Sequence, residues 1–340
     1  MPLLIQVDYL IRKIFFSVAT LAVVIVFNFF LFRILPGDPV KLLFRNPRLS
    51  TQIQETIRIQ FGLDKPVWIN TEKLQTGDIS GIFDSQFGAY IHNLFQGNLG
   101  ISFAQRASVN EILSERVGRT VILVFAGEIV AILGGIIVGM IAAWRRGSWI
   151  DSAALIIGLT TWALPTFFLG IILLVLARGV LPTSGMIEPG YAQEGTIEYW
   201  LDVGRHLILP TLTLAVGSTS AYMLIMRSSV VEVLAEDFIL VAKAKGLTTA
   251  QILRNHALKN AMLPMVTIIA LNLGYVVGGA IQVETVFSWP GIGRLIYDSV
   301  AKQDYPVLQG AFLLIAISVI LANLITDILY SILDPRIKSI

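Results

Sequence analysis

Cysteine is absent from all 340 residues. That excludes disulfides, thiol catalysis and thiolate metal sites. Charge is scarce too: Asp, Glu, Lys and Arg make up 14% of the chain, against about 25% in soluble domains. The only histidines, His92, His206 and His256, lie far apart in sequence with no metal-ligand spacing, so each reads as a surface or interface histidine. No G-x-S-x-G, H-E-x-x-H or Walker A run occurs, and the dipeptide Gly-Lys is missing altogether. Without a P-loop the chain cannot hydrolyse a nucleotide by that route alone, and no catalytic set points to an enzyme. A net charge of +2 is too small to suggest nucleic-acid binding. No internal repeat or low-complexity tract is visible.

What the chain has is apolar surface. It is 55% hydrophobic, with a mean hydropathy of +0.75, and reads as a polytopic membrane protein. A span needs about 20 apolar residues, and segments near 14–34, 120–143, 151–177, 207–226, 262–283 and 309–331 qualify. Each must be helical, because the bilayer core offers no water to backbone groups. The expected fold class is therefore an all-α membrane protein with six transmembrane helices. Arg12-Lys13 precedes an uncharged run from Ile14 to Phe32, and Arg33 and Pro36 follow with no A-x-A site, which fits an uncleaved first helix better than a signal peptide. Leu133-Gly-Gly-Ile-Ile-Val-Gly139 and Gly274-Tyr-Val-Val-Gly-Gly279 let helix backbones approach closely.

Basic residues set the orientation. Arg145, Arg146, Arg227, Lys243, Lys245, Arg254, Lys259, Arg336 and Lys338 fall on the side of Arg12 and Lys13, whereas segment 178–206 carries Glu188, Glu194, Glu198 and Asp202. Both termini are expected in the cytoplasm. The division is a first helix at 1–35, an external loop subdomain at 36–119, a core of five helices at 120–333 containing a cytoplasmic loop at 227–262, and a tail at 334–340. The external loop is too long for a simple connector. Residues Ser50–Gln60 have helical spacing, and a cap of short helices is expected there. Charges inside the spans are few: Glu128 lies about two turns into the second, and Asp327 near the inner end of the sixth. Glu128 is a candidate pathway residue, but a hydrogen bond to a neighbouring helix near the outer surface is the preferred reading of it. External aromatics Tyr191, Trp200 and Trp289 read as interfacial belt residues, with a partner contact or the outer mouth as the other possibility.

The loop at 236–264 is the most informative segment. Phe238, Val241, Ala242 and Lys245 recur at helical spacing with a basic edge. Glu236 and Asp237 suit a helix N-terminus. Gly246 can end that helix in a left-handed conformation. Thr248-x-x-Gln251 is a capping box opening a second short helix. Ile252, Leu253 and His256 are expected to present an anchor face, and Pro264 sits where the fifth span begins. Helix, glycine joint, helix makes a knob that fits a groove on a partner, the alternative being an amphipathic helix resting on lipid.

At these residues the chain resembles permease subunits of the dipeptide/oligopeptide/nickel family of ATP-binding-cassette (ABC) importers. The resemblance rests on Arg33-Ile-Leu-Pro-Gly-Asp-Pro39, whose signature residues are Pro36, Gly37, Asp38 and Pro39. It rests also on Phe61-Gly-Leu-Asp-Lys-Pro66 with Gly97-Asn-Leu-Gly-Ile-Ser102. Ala242-Lys-Ala-Lys-Gly-Leu247 with His256-Ala-Leu-Lys-Asn-Ala261 and Leu263-Pro264 is similar to the family's coupling motif. Glu284-Thr-Val-Phe-Ser-Trp-Pro-Gly-Ile-Gly293, Asp304-Tyr-Pro306 and Asp334-Pro-Arg336 complete it. Leu240-Val241-Ala242 stands where the general importer motif has Glu-Ala-Ala, and 67–95 is extended relative to the family.

The resemblance implies a type I ABC importer permease fold and a bacterial or archaeal inner or plasma membrane. It implies a second homologous permease, two ABC ATPase subunits and an extracytoplasmic substrate-binding protein as partners, besides membrane lipid and without nucleic acid. ATP and Mg would be held by the ATPases, with no cofactor or metal on this chain. ATPase coupling would then fall to Glu236, Asp237, Phe238, Val241, Ala242, Lys245, Gly246, Leu247, Ile252, His256, Asn260 and Pro264. Di- or oligopeptides are the expected cargo, with nickel chelates or sugars as alternatives within the family. A stand-alone secondary carrier or channel is the alternative outside it.

Overall fold

The structure is a computed structural model that describes residues 2–34, 64–75, 80–191 and 193–333. In chain order the helices are α1 (Pro2–Ile34), α2 (Thr71–Gln75), a 3-10 turn (Ser80–Phe83), α3 (Gln86–Phe95), α4 (Val109–Trp144), α5 (Trp149–Ala163) and α6 (Thr166–Leu176). They continue as α7 (Ile197–Leu234), α8 (Asp237–Ala244), α9 (Thr249–Ile252), a π turn (Leu253–Ala257), α10 (Leu258–Val286), α11 (Ile292–Lys302) and α12 (Tyr305–Leu333). Among the described residues there is no strand, only one bridge between Ile101 and Ser108. The all-α expectation holds. The family signature Pro36, Gly37, Asp38 and Pro39, the helix expected at 50–60 and the tail at 334–340 lie outside the described residues.

Among the described residues four helices, α1, α4, α7 and α12, are long and apolar enough to cross a bilayer. The 29 residues of α10 occupy the fifth expected span. The third span departs from expectation: 151–177 is not one helix. α5 and α6 meet at a bend of 107°. Pro165 explains the break, since it has no N–H to donate and disfavours helical geometry at the residue before it; Leu164 is extended, with φ −78° and ψ 135°. Hydropathy reads straight through such a site because the residues around it are uncharged and mostly apolar. It also misses polar helix turns, so α4 begins at Val109 instead of 120.

Backbone contacts divide the chain into two compact units: Met1–Leu10 with Gly118–Arg294 and Val319–Ile340, and Ile11–Val117 with Leu295–Ser318. In the first unit α7 is central and packs along α10, α5 and α6. Glycines on α4 permit its approach to α7. A Cβ at Gly139 would lie 2.7 Å from the Met223 carbonyl oxygen and 2.8 Å from the Met226 Cβ. One apolar core gathers Leu123, Met186, Tyr199, Leu209, Val283, Phe287 and Trp289; another gathers Ala131, Ala215, Tyr222, Met226, Ala261 and Met265. In the second unit Phe29 of α1 stacks against Tyr90, with Trp68 and Phe87 edge-on or tilted around it. The Asn28 amide donates to the Gln309 carbonyl at 2.9 Å, tying α1 to α12.

Candidate functional site

The segment between α7 and α10 folds as a knob with its own interior. Glu236 caps α8 in extended geometry, and Asp237 occupies the first turn, where a carboxylate suits the helix dipole. α8 ends in a Schellman arrangement: the Gly246 N–H donates to Lys243 O at 2.9 Å and the Leu247 N–H to Ala242 O at 3.3 Å. That geometry needs a left-handed residue at Gly246, whose φ is +78°. Thr248 and Gln251 then form the capping box. The Thr248 N–H donates to Gln251 Oε1 at 2.8 Å, and Thr248 Oγ1 accepts from the Gln251 N–H at 3.4 Å. α9 runs into the π turn, and Asn260 Nδ2 donates to His256 O at 2.9 Å. Pro264 sits inside α10.

Burial sorts the knob's residues. Ile239, Ala242 and Ile252 form a closed core with Val233, Leu234 and Leu247 around it. Ile252 is only 2% exposed, so the anchor face expected of it is not there: a branched aliphatic at the meeting of two short helices fills their joint. The outward face belongs to Phe238, Leu240 and Val241, which are 41%, 63% and 53% exposed. Lys243 and Lys245 are exposed beside them, and the Phe238 ring lies 6.5 Å from the half-buried His256 ring. The knob thus presents a small apolar patch with a basic edge, held by an interior that closes without it. Leu240, which the helical-spacing pattern omitted, is the most exposed of the three.

Several quoted sequence runs turn out to be paired structural fastenings. Glu284 is fully buried and accepts from Thr120 Oγ1 at 2.6 Å and from the Arg294 N–H at 3.0 Å. Thr120 Oγ1 in turn accepts from the Ile292 N–H at 2.8 Å. Any side chain at Gly291 would collide with that carboxylate and hydroxyl. Trp289 is fully buried, its Nε1 donating to Arg119 O at 2.9 Å, so it is neither a belt residue nor part of a mouth. Tyr191 and Trp200 are exposed. In the second unit, Asp304 collects Ser102 Oγ and the N–H groups of Phe103 and Ala104. Glu128 is buried and accepts from the Tyr222 hydroxyl, a neighbouring-helix contact of the kind expected of it. His206 is buried with Nδ1 3.0 Å from Asp202 O, while Asp202 accepts from the Glu188 N–H at 2.7 Å. Among the described residues no group of His, Asp and Glu is arranged to hold a metal. Asp304 and Glu284 escaped sequence reasoning as buried acids because neither lies inside a predicted apolar run.

Comparison with known proteins agrees with this architecture. The family described as "Binding-protein-dependent transport system inner membrane component" matches residues 135–339, and the corresponding N-terminal family matches residues 6–124. The glutathione transport system permease protein GsiC of Escherichia coli K12 is 35% identical over 336 residues, covering 98% of this chain and 99% of that one. A protein of Brucella suis biovar 1, provisionally named a peptide permease, is 36% identical over 336 residues, covering 97% and 98%. An inward-facing structure of the MetNI methionine ABC transporter superposes with a TM-score of 0.50 at 19% identity, over 66% of this chain and 96% of that one, a likeness of fold. The chain belongs to the family of inner-membrane components of binding-protein-dependent transport systems.

Proposed function

We propose that this chain is the permease of an ATP-driven importer of short peptides, and that it couples to partner ATPases through the knob at 236–264. The observation that carries the reading is the exposed Phe238–Leu240–Val241 patch on a knob whose own core is complete without it. A patch with no internal task, on a rigid support, suits insertion into a partner's groove. Gly246, Leu247, Asn260 and Pro264 shape the support, whereas Glu236, Asp237, Lys245 and His256 edge it. In this reading the knob and both termini face the cytoplasm, a second permease completes the pathway, and a binding protein delivers cargo on the other side. The relatives' names support peptide cargo: one is a glutathione permease, glutathione being itself a short peptide. The stand-alone carrier reading needs an ion-coupling group in the bundle, and Glu128, the candidate the sequence offers, is engaged by Tyr222.

Affinity purification of the chain from its native membranes, with mass spectrometry of what accompanies it, tests the proposal. P-loop ATPases and a second permease are expected in the sample. A chain that emerges alone, in a detergent that keeps known membrane complexes together, sinks the importer reading.

A further inference from the structure

Beyond the knob itself, a charged clasp ties its supporting helix to the rest of the bundle. Arg227 lies two turns before the end of α7, and its Nε and Nη2 donate to the two oxygens of Asp151 on α5 at 2.6 and 2.8 Å. The Gly147 N–H adds a third bond to the same carboxylate at 2.9 Å. Gly147 is left-handed, with φ +79°, and Ser148 caps α5 by accepting from the Asp151 N–H. Asp151 is buried. At the same level α4 touches α7 backbone to backbone, since a Cβ at Gly139 would lie 3.1 Å from the Arg227 N. From Arg227 the helix runs on to Val233 and Leu234, which pack on the knob's core of Ile239 and Ile252.

A buried ion pair contributes little net stability over a well-packed apolar pair of the same volume. What the fork does supply is orientation, because two parallel N–H···O bonds fix one relative setting of their supports. We propose that Asp151 and Arg227 are a positioning pair that makes the knob and the α4–α5 turn move as one body when the ATPases act. The inference rests on the reading of the knob as the ATPase docking site.

The absence of native cysteine allows spin labels at two introduced cysteines, Ala244→Cys on α8 and Trp149→Cys at the start of α5. Both are exposed. The distance between them is measured by pulsed electron resonance in the complex as purified, without nucleotide and with ATP plus vanadate. In the parent the distance is expected to change by less than about 2 Å, within the range of small interface shifts. Asp151→Asn and Arg227→Gln are each expected to broaden the distribution at least about twofold on trapping, and the double variant no further than the worse single, as for partners in one contact. Should a single variant fail to accumulate, the neutral double variant carries the test, since it leaves no lone buried charge. Narrow, parent-like distributions in the variants overturn the clasp, as do independent effects that add, a parent distance that itself shifts widely, or loss of every variant from the membrane. Absence of ATPases from the parent sample overturns the importer reading instead, and the clasp with it.

Discussion

Ser102 and Asp304 lie 202 residues apart in sequence, and the Ser102 hydroxyl donates to the Asp304 carboxylate at 2.5 Å. Both are buried. Asp304→Ala strands that hydroxyl and the N–H groups of Phe103 and Ala104, at an expected cost of about 3–5 kcal/mol given ~1–3 for each unmet group. Ser102→Ala leaves the two backbone bonds in place and should cost only about 1–2 kcal/mol. Thermal unfolding in detergent should rank the parent above Ser102→Ala, and Ser102→Ala above Asp304→Ala. Coincident midpoints for all three would remove the carboxylate's structural role.

Glycines separate in the same way. Gly291→Ala drives a methyl into the Glu284 carboxylate and Thr120 hydroxyl, and overpacking of that kind costs about 1–3 kcal/mol. Gly204, at an exposed position of α7, has no atom within 4 Å of an added Cβ, so Gly204→Ala should stabilise by up to about 1 kcal/mol through helix propensity. Opposite shifts of the unfolding midpoint are the expected result.

At Gly246 the open surroundings make the test one of backbone alone: no atom lies within 4 Å of an added Cβ, yet φ is +78°. Asn tolerates that conformation, whereas a β-branched residue meets a penalty of roughly 1–2 kcal/mol. Gly246→Asn should therefore retain most uptake per ATP hydrolysed in reconstituted complexes, and Gly246→Ile should lose it. If Gly246→Ile matched the parent in both uptake and substrate-stimulated hydrolysis, the glycine joint would have no part in coupling.

Phe238 and Ile252 offer a contrast of surface against interior. Ile252→Ala opens a cavity in the knob's core, with an expected loss of about 2–4 kcal/mol visible as faster hydrogen exchange across 237–257. Phe238→Ala should leave exchange unchanged while lowering ATPase recovery on purification several-fold. Equal recovery from parent and Phe238→Ala complexes would move the docking face elsewhere.

Acid should loosen one corner of the second unit. Lys65 and Lys73 each donate to Asp84 at 2.7 Å and hold its pKa down to about 2, against about 3.9 in an unfolded chain. The pair's contribution is complete above pH ~4 and fades as pH falls towards 2, because protonation there favours the unfolded form. Exposure keeps the effect small. Hydrogen exchange at the Gln86 and Phe87 amides, which bond to Pro66 O and Val67 O, should quicken beyond the intrinsic pH trend below pH 4. That extra change should vanish in Asp84→Asn; its persistence there would assign it to another group.

The sequence announced the helical class, the membrane spans and the joints of the knob, because local rules govern them: apolar length, a capping box, a glycine after a helix. It was silent on what those rules do not see. Pro165 broke a span whose flanks are uncharged and mostly apolar. Phe238 and Ile252 are both large and apolar, and only the crossing of α8 with α9 decides which one is covered. Glu284 with Thr120, and Asp304 with Ser102, were visible as separate runs of letters; their pairing is a long-range contact with no local signal.

The π turn at Leu253–Ala257 lets α9 continue into α10 without a break. From Thr249 to Val286 the chain is thus one continuous helical path of 38 residues with Pro264 inside it, about 57 Å along its contour at 1.5 Å per residue, and α7 is another of 38 residues, with Pro210 inside it. The knob is the shared head of two long arms. By simple leverage, a tilt of only about 5° about their far ends carries that head through roughly 5 Å, close to one helical turn, so small angular changes in the membrane and ångström-scale travel at the knob are the same motion.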